Sequence, residues 1–145
     1  MAILALDYGT KRIGVAVSDA TLTLARPLSY LDAGQFQKLA LTLRALIKEH
    51  EISLILVGMP RNMDGTYGPA AERTQVFIYH LKQVLTVPIE SRDERLTTVQ
   101  ASRQLRESGK KARDQKTLID SASAVVLLQL HLDQLALREG EAGRD

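Results

Sequence analysis

The sequence contains no cysteine. A disulfide framework, a thiolate metal site and a cysteine nucleophile are all excluded by that one absence. No apolar run is long enough to span a membrane, and the N-terminal apolar stretch is broken by Asp7 instead of following the basic-then-apolar order of a signal peptide. A soluble, cytoplasmic protein is expected. No Gly-x-x-x-x-Gly-Lys-Ser/Thr loop is present to cradle a nucleotide phosphate. An excess of one charge is missing too: 19 basic residues stand against 17 acidic ones, a net charge of +2 that names no partner. At 145 residues the chain can bury a core without staples, and it reads as one domain over residues 1–138 with a disordered tail over 139–145.

What is present is concentrated at the start. Ala2 to Leu6 is an unbroken apolar run, short enough for a strand buried on both faces. Asp7 stands where the run stops, Gly9 is free to adopt positive φ, and Thr10, Lys11 and Arg12 form a polar turn into a second apolar run, Ile13 to Val17. The hairpin thus carries a carboxylate at a strand end and two cations at its tip. Asp7 either ends the strand by bonding turn amides or serves chemistry there.

Leu22 to Leu31 suits a third strand, near the sheet edge at Pro27. From Gln35 the stripe Phe36, Leu39, Ala40, Leu43, Leu46, Ile47 predicts an amphipathic helix ending near His50. Ile52 to Val57 is a second buried strand, so strand, helix and strand imply a right-handed parallel crossover. Gly58 to Pro69 is irregular, rich in Arg61, Asn62, Asp64 and Thr66, at a place where parallel sheets put ligand contacts. Pro69 opens a second helix through Leu85, and Val87 to Glu90 is a short strand followed by Asp93 and Glu94. A helix over Val99 to Glu107, a basic loop over Ser108 to Arg113, and a last helix from an Asp114 N-cap through Leu137 complete the pattern. Asp120 lies on that last helix among Leu118, Ile119, Ala122, Ala124, Val125, Val126 and Leu127. Small neighbours let a helix lie close to a sheet.

Three elements therefore deliver three acids, Asp7, Glu94 and Asp120. Oxygen ligands without cysteine or paired histidine select Mg²⁺ or Mn²⁺ over zinc. Two such ions, about 3.5 to 4 Å apart, clamp a phosphodiester between an activated water and a leaving oxygen. Asp7, on the most rigid element, is the best bridging ligand. Between Arg92 and Lys116 there are eight basic residues against four acidic ones, and the remaining chain is slightly acidic, eleven against thirteen. A basic stretch beside acids fits a polyanion held next to a metal site, although a solvated helix face has the same pattern.

Four motifs in order carry a resemblance. They are Asp7-Tyr-Gly-Thr-Lys-Arg-Ile-Gly-Val-Ala-Val-Ser-Asp19, Val57-Gly-Met-Pro-Arg-Asn-Met-Asp-Gly-Thr66, Asp93-Glu-Arg-Leu-Thr-Thr98 and Asp120-Ser-Ala-Ser-Ala124. Together they are similar to the YqgF (RuvX-like) family, described as Holliday junction resolvases related to RuvC and as nucleases maturing the small-subunit ribosomal RNA precursor. The resemblance implies an α/β, ribonuclease H-like fold: a five-stranded mixed sheet with helices on both faces. It implies a metal-dependent endonuclease with catalytic acids at Asp7, Glu94 and Asp120, and Asp93 stands beside Glu94 as its neighbouring acid. Lys11, Arg12, Arg61, Asn62 and Arg95 are the expected substrate contacts. Arg92 replaces an aromatic residue common before the Asp-Glu pair, and Arg61 replaces an apolar one; both add positive charge.

Two other readings remain open. A non-catalytic nucleic-acid-binding factor of ribosome assembly or transcription would keep the fold without turnover, but the complete acid set argues against it. A nucleotide-binding role, from the likeness of Asp7-Tyr-Gly-Thr10 to the phosphate loop of actin-like ATPases, needs two lobes, and this chain has room for one. Substrate choice between a precursor RNA and branched DNA is open. A homodimer suits symmetric cutting of a junction, whereas trimming an RNA end does not need one.

Overall fold

The computed structural model describes residues 1–9, 11–60, 66–93 and 112–142, with side chains described from 121 to 139 of the last stretch. Its strands are β1 (Ala2–Tyr8), β2 (Arg12–Ser18), β3 (Ala25–Asp32), β4 (Ile52–Met59) and β5 (Ile89–Asp93); its helices are α1 (Phe36–His50), α2 (Pro69–Val84) and α3 (Ala112–Ala142). The strands form one mixed sheet in the order β3-β2-β1-β4-β5. β1, β2 and β3 pair antiparallel, whereas β1 with β4 and β4 with β5 pair parallel. The five-stranded mixed sheet with helices on both faces is the expected architecture.

β1 is central because its residues can be buried from both sides. Leu4 and Leu6 enter one core with Ile13, Val15, Val17, Ile55 and Val57, covered by Leu39 and Leu43 of α1 and Phe77 and Leu81 of α2. Ile3 and Ala5 enter a second core with Ala16 and Leu56, covered by Ala124, Leu127, Leu128 and Leu132 of α3. On the α3 side Ala5, Ala16 and Ala124 are small, and the other buried residues of that core are leucine and isoleucine.

Several boundaries differ from expectation. β1 runs past the apolar stretch, pairing Asp7 with Gly14 and Tyr8 with Ile13, so Asp7 is a residue of the ladder and not the turn residue that ends it. Tyr8 stacks on Phe77 of α2, with ring centroids 4.3 Å apart, and locks this end of the strand. Gly9 is not at positive φ. Its value is the absent side chain: a Cβ there would lie 2.6 Å from the Arg12 carbonyl oxygen, which accepts the Gly9 N–H at 3.0 Å. β3 begins at Ala25, because Leu22 takes a left-handed turn conformation (φ 58°) under the Asp19 carboxylate. β4 extends through Gly58 and Met59, two residues into the stretch expected to be irregular. α3 starts before Asp114, which is therefore inside the helix instead of capping it, and continues to Ala142 through much of the expected tail. The helix expected over Val99 to Glu107 and most of the basic loop lie outside the described residues.

Candidate active site

Strand alternation decides which side chains share a face. Ile3 and Ala5 point into the α3 core, and Asp7, two residues further, has the same parity. Its partner on β2 is Gly14, which alternates with Ala16 of the same core. On β4, Leu6 is paired with Val57, so Gly58 follows beside Asp7 with the parity of Leu56. The carboxylate at the end of the central strand is thus flanked on both neighbouring strands by glycine. Glycine inside a strand marks a bulge or a place of close approach, and Gly14 lies at the register irregularity between β2 and β3.

The sheet face that carries Asp7 is covered by α3. Ser121 is fully buried, and its hydroxyl donates to the Leu28 carbonyl at 2.8 Å and accepts the Val15 N–H at 3.1 Å. Val15 and Leu28 are ladder partners at a register irregularity between β2 and β3. The hydroxyl is inserted between a donor and an acceptor of neighbouring strands. Two turns on, Gln129 accepts the Ala25 N–H at 2.9 Å and donates to the Thr23 carbonyl at 3.0 Å. The helix therefore runs antiparallel to β1, and its earlier turns lie at the end of the sheet where Asp7 stands. Asp120 immediately precedes Ser121, one turn before the buried Ala124.

Of the other expected site residues, Lys11 is exposed at the hairpin. Arg12 begins β2 with the parity of Gly14, and its guanidinium lies 4.8 Å from the centroid of the Tyr30 ring on β3. Asp93 closes β5 as the register partner of Met59. It shares parity with Ile89 of the α1–α2 core, the opposite face from Asp7. Glu94, Arg95, Arg61 and Asn62 lie outside the described residues, as does the side chain of Asp120. Among the described residues no group of three or more histidine, aspartate and glutamate side chains could hold a metal ion.

Arg92 is the register partner of Gly58 and so stands on the Asp7 face. It is tied down by Glu90 at 2.6 Å and by the Ser91 carbonyl at 2.8 Å. His131 of α3 is buried on this side, and burial pushes its pKa below the ordinary histidine value; the Arg92 cation adds to that, Glu90 opposes it, and Arg138 adds more. At the far end of the hairpin pair, Asp19 accepts the Thr23 and Leu24 N–H groups and the Thr21 hydroxyl, and the Thr23 bond leads in holding its carboxyl below the usual range. Asp19 is thus a turn-forming acid, at the opposite end of β2 from Asp7. Sequence reasoning missed Ser121 and the two flanking glycines. Gly14 and Gly58 were visible as glycines inside apolar runs, but Ser121 had no signal beyond its place after Asp120.

A mixed sheet in the order 3-2-1-4-5, three strands antiparallel and two added in parallel, with helices on both faces, is the architecture of the ribonuclease H-like class. The chain belongs to the RuvX family, described as "Holliday junction resolvase", whose model matches residues 1–134. It is 42% identical over 134 residues to a Thermoanaerobacter pseudethanolicus protein named "Putative pre-16S rRNA nuclease", covering 92% of this chain and 96% of that one. A Halalkalibacterium halodurans protein of the same name is 40% identical over 144 residues, covering 95% and 100%. Among solved structures, the Fowlpox virus resolvase bound to Holliday junction DNA superposes with a TM-score of 0.56 at 11% identity, over 93% of this chain and 99% of that chain. RuvC of Thermus thermophilus with a Holliday junction gives 0.50 at 12% identity, over 97% and 96%. These two likenesses are of fold. Family membership implies nucleic acid as substrate and a divalent metal. No helix among the described residues is long and apolar enough to cross a membrane.

Proposed function

We propose that this protein is an endonuclease dependent on Mg²⁺ or Mn²⁺, with Asp7, Glu94 and Asp120 as its catalytic acids and metal ligands, and that its substrate is the precursor of 16S ribosomal RNA. The observation that carries the reading is the position of Asp7, a carboxylate in the central ladder between Gly14 and Gly58 on the face covered by α3. An oxygen donor on a rigid strand, with glycine beside it on both adjacent strands, fits a hard divalent ion. Two bound ions would supply an activated water and charge stabilisation at the scissile phosphate. The chain's own part is to hold the carboxylates at fixed positions, keep the sheet end open to a phosphate, and bring cations to it.

The opposite parity of Asp93 favours Glu94 as the acid of that pair. Lys11 and Arg12 at the hairpin, with Arg61, Asn62 and Arg95, are read as contacts to the nucleic-acid backbone, which position the strand without reading its sequence. RNA is placed first because the relatives near 42% identity carry the pre-16S name. The family description makes a four-way DNA junction, cut by a homodimer, the second reading.

The test is cleavage of an extended 16S precursor and of a four-way DNA junction by purified protein with Mn²⁺, with EDTA, and as the Asp7→Asn variant. Metal-dependent products from the RNA, lowered more than about a hundredfold in the variant, are expected, because second contacts to a metal alone are worth ten- to a hundredfold. Products from the junction alone transfer the substrate to DNA. Binding without products from either substrate overturns the nuclease reading in favour of an assembly factor.

A further inference from the structure

Among the described residues Ser121 is a fully buried polar side chain that the nuclease chemistry leaves without a role. We propose that it is a positioning residue for the active site, fixing the turn of α3 that carries Asp120 at a set distance from Asp7; this rests on the reading of both as metal ligands. The connection is short and continuous. Asp7 is the ladder partner of Gly14; the next residue, Val15, gives its N–H to the Ser121 hydroxyl at 3.1 Å; and Ser121 follows Asp120 in the chain. The same hydroxyl donates to Leu28 on β3 at 2.8 Å, so the helix is held from two strands by one atom.

The geometry also explains why a serine stands there. Val15 and Leu28 are register partners, and a direct bond between them would leave α3 held on this side by apolar contact alone. Burial of apolar surface is non-directional and does not by itself fix the register of a helix along a sheet. A hydroxyl that donates and accepts at once fixes both height and register, and it does so fully buried, where a missing partner is costly. Gln129 makes the same kind of tether with Ala25 and Thr23. It lies eight residues further along the helix, away from Asp120, and supplies a matched control.

The test compares Ser121→Ala, Ser121→Cys and Gln129→Ala with the unaltered protein. Mn²⁺ binding is read from the loss of the free-ion electron paramagnetic resonance signal, alongside cleavage kinetics and melting temperature. Cysteine keeps the size but is a weak donor and acceptor, so it carries the test should the alanine variant fail to fold. Both Ser121 variants are expected to bind Mn²⁺ about tenfold more weakly, the magnitude typical of losing a supporting contact, and to lose kcat with little change in KM for nucleic acid. Gln129→Ala is expected to lower the melting temperature while retaining Mn²⁺ affinity and kcat. Wild-type affinity and kcat in folded Ser121 variants overturn the proposal, and so does an equal loss of affinity in Gln129→Ala. Asp120→Asn separates the two levels. Should it bind Mn²⁺ as the unaltered protein does, the ligand reading fails and this proposal with it; should it bind weakly while the Ser121 variants bind normally, only the positioning role fails.

Discussion

At the scale of single residues, the site is made as much by missing side chains as by present ones. Asp7 occupies a pleat between Gly14 and Gly58, and the hairpin that carries it closes through Gly9, whose N–H reaches the Arg12 carbonyl. The contact at Gly9 has a definite cost of change, since a methyl group there would lie 2.6 Å from a backbone oxygen that cannot swing away. Gly9→Ala is expected to destabilise the fold by about 1–3 kcal/mol, the usual cost of forcing extra volume into a packed site. Because the displaced Arg12 backbone is the continuation of the strand paired with Asp7, cleavage should fall further than stability explains. Chemical denaturation and kcat of the folded variant check the two effects separately. Sequence reasoning placed a glycine here for positive φ; the residue is the same, but the reason is contact.

At the scale of elements, much of the fold was legible, for a physical reason. Apolar runs and helical stripes report burial, and burial is what fixed β1, β2, β4, α1 and α2 to within a few residues. What the pattern could not report is where a strand stops once its side chains no longer need to be buried. β1 keeps its ladder through Asp7 and Tyr8, and β4 through Gly58 and Met59, because pairing with neighbours satisfies their backbones whatever the side chain. The three acids were legible as residues, but the Ser121 tether depends on a register irregularity 93 residues away in sequence, which no local pattern encodes. α3 contributes a titration as well. His131 faces Glu90 and Arg92 of β5 and Arg138 of its own helix, and burial holds its pKa below the ordinary value near 6.5. A histidine depressed in the folded state favours the neutral form there, so its stabilising effect is complete above pH 6.5 and is lost as pH falls below that value towards its folded pKa. His131→Gln is therefore expected to flatten the fall in melting temperature between pH 7.5 and the acidic side of 6.5. A variant that falls as steeply as the parent would remove His131 as the cause.

At the scale of the whole molecule, the sheet separates two tasks. One face is sealed by α1 and α2 over a continuous apolar core, and the other is covered by α3 and carries Asp7, Arg12 and Arg92 at one end. The net charge of +2 is too small to draw a polyanion from a distance, so recognition must come from cations held locally at that end. Lys11 is exposed and Arg12 is held over Tyr30, so the two should contribute differently. Each phosphate contact releases condensed counterions, and the logarithm of affinity falls with the logarithm of salt by about 0.7 to 0.9 per contact. Lys11→Ala and Arg12→Ala are each expected to weaken binding of precursor RNA and to reduce that slope by about one contact, with a melting temperature shift in Arg12→Ala alone because only it gives up a ring partner. Titrations of binding in EDTA across salt concentrations isolate this anchoring from the chemistry. An unchanged slope in both variants would move the nucleic-acid path away from the hairpin tip and leave Asp7 approached from the α3 side of the sheet.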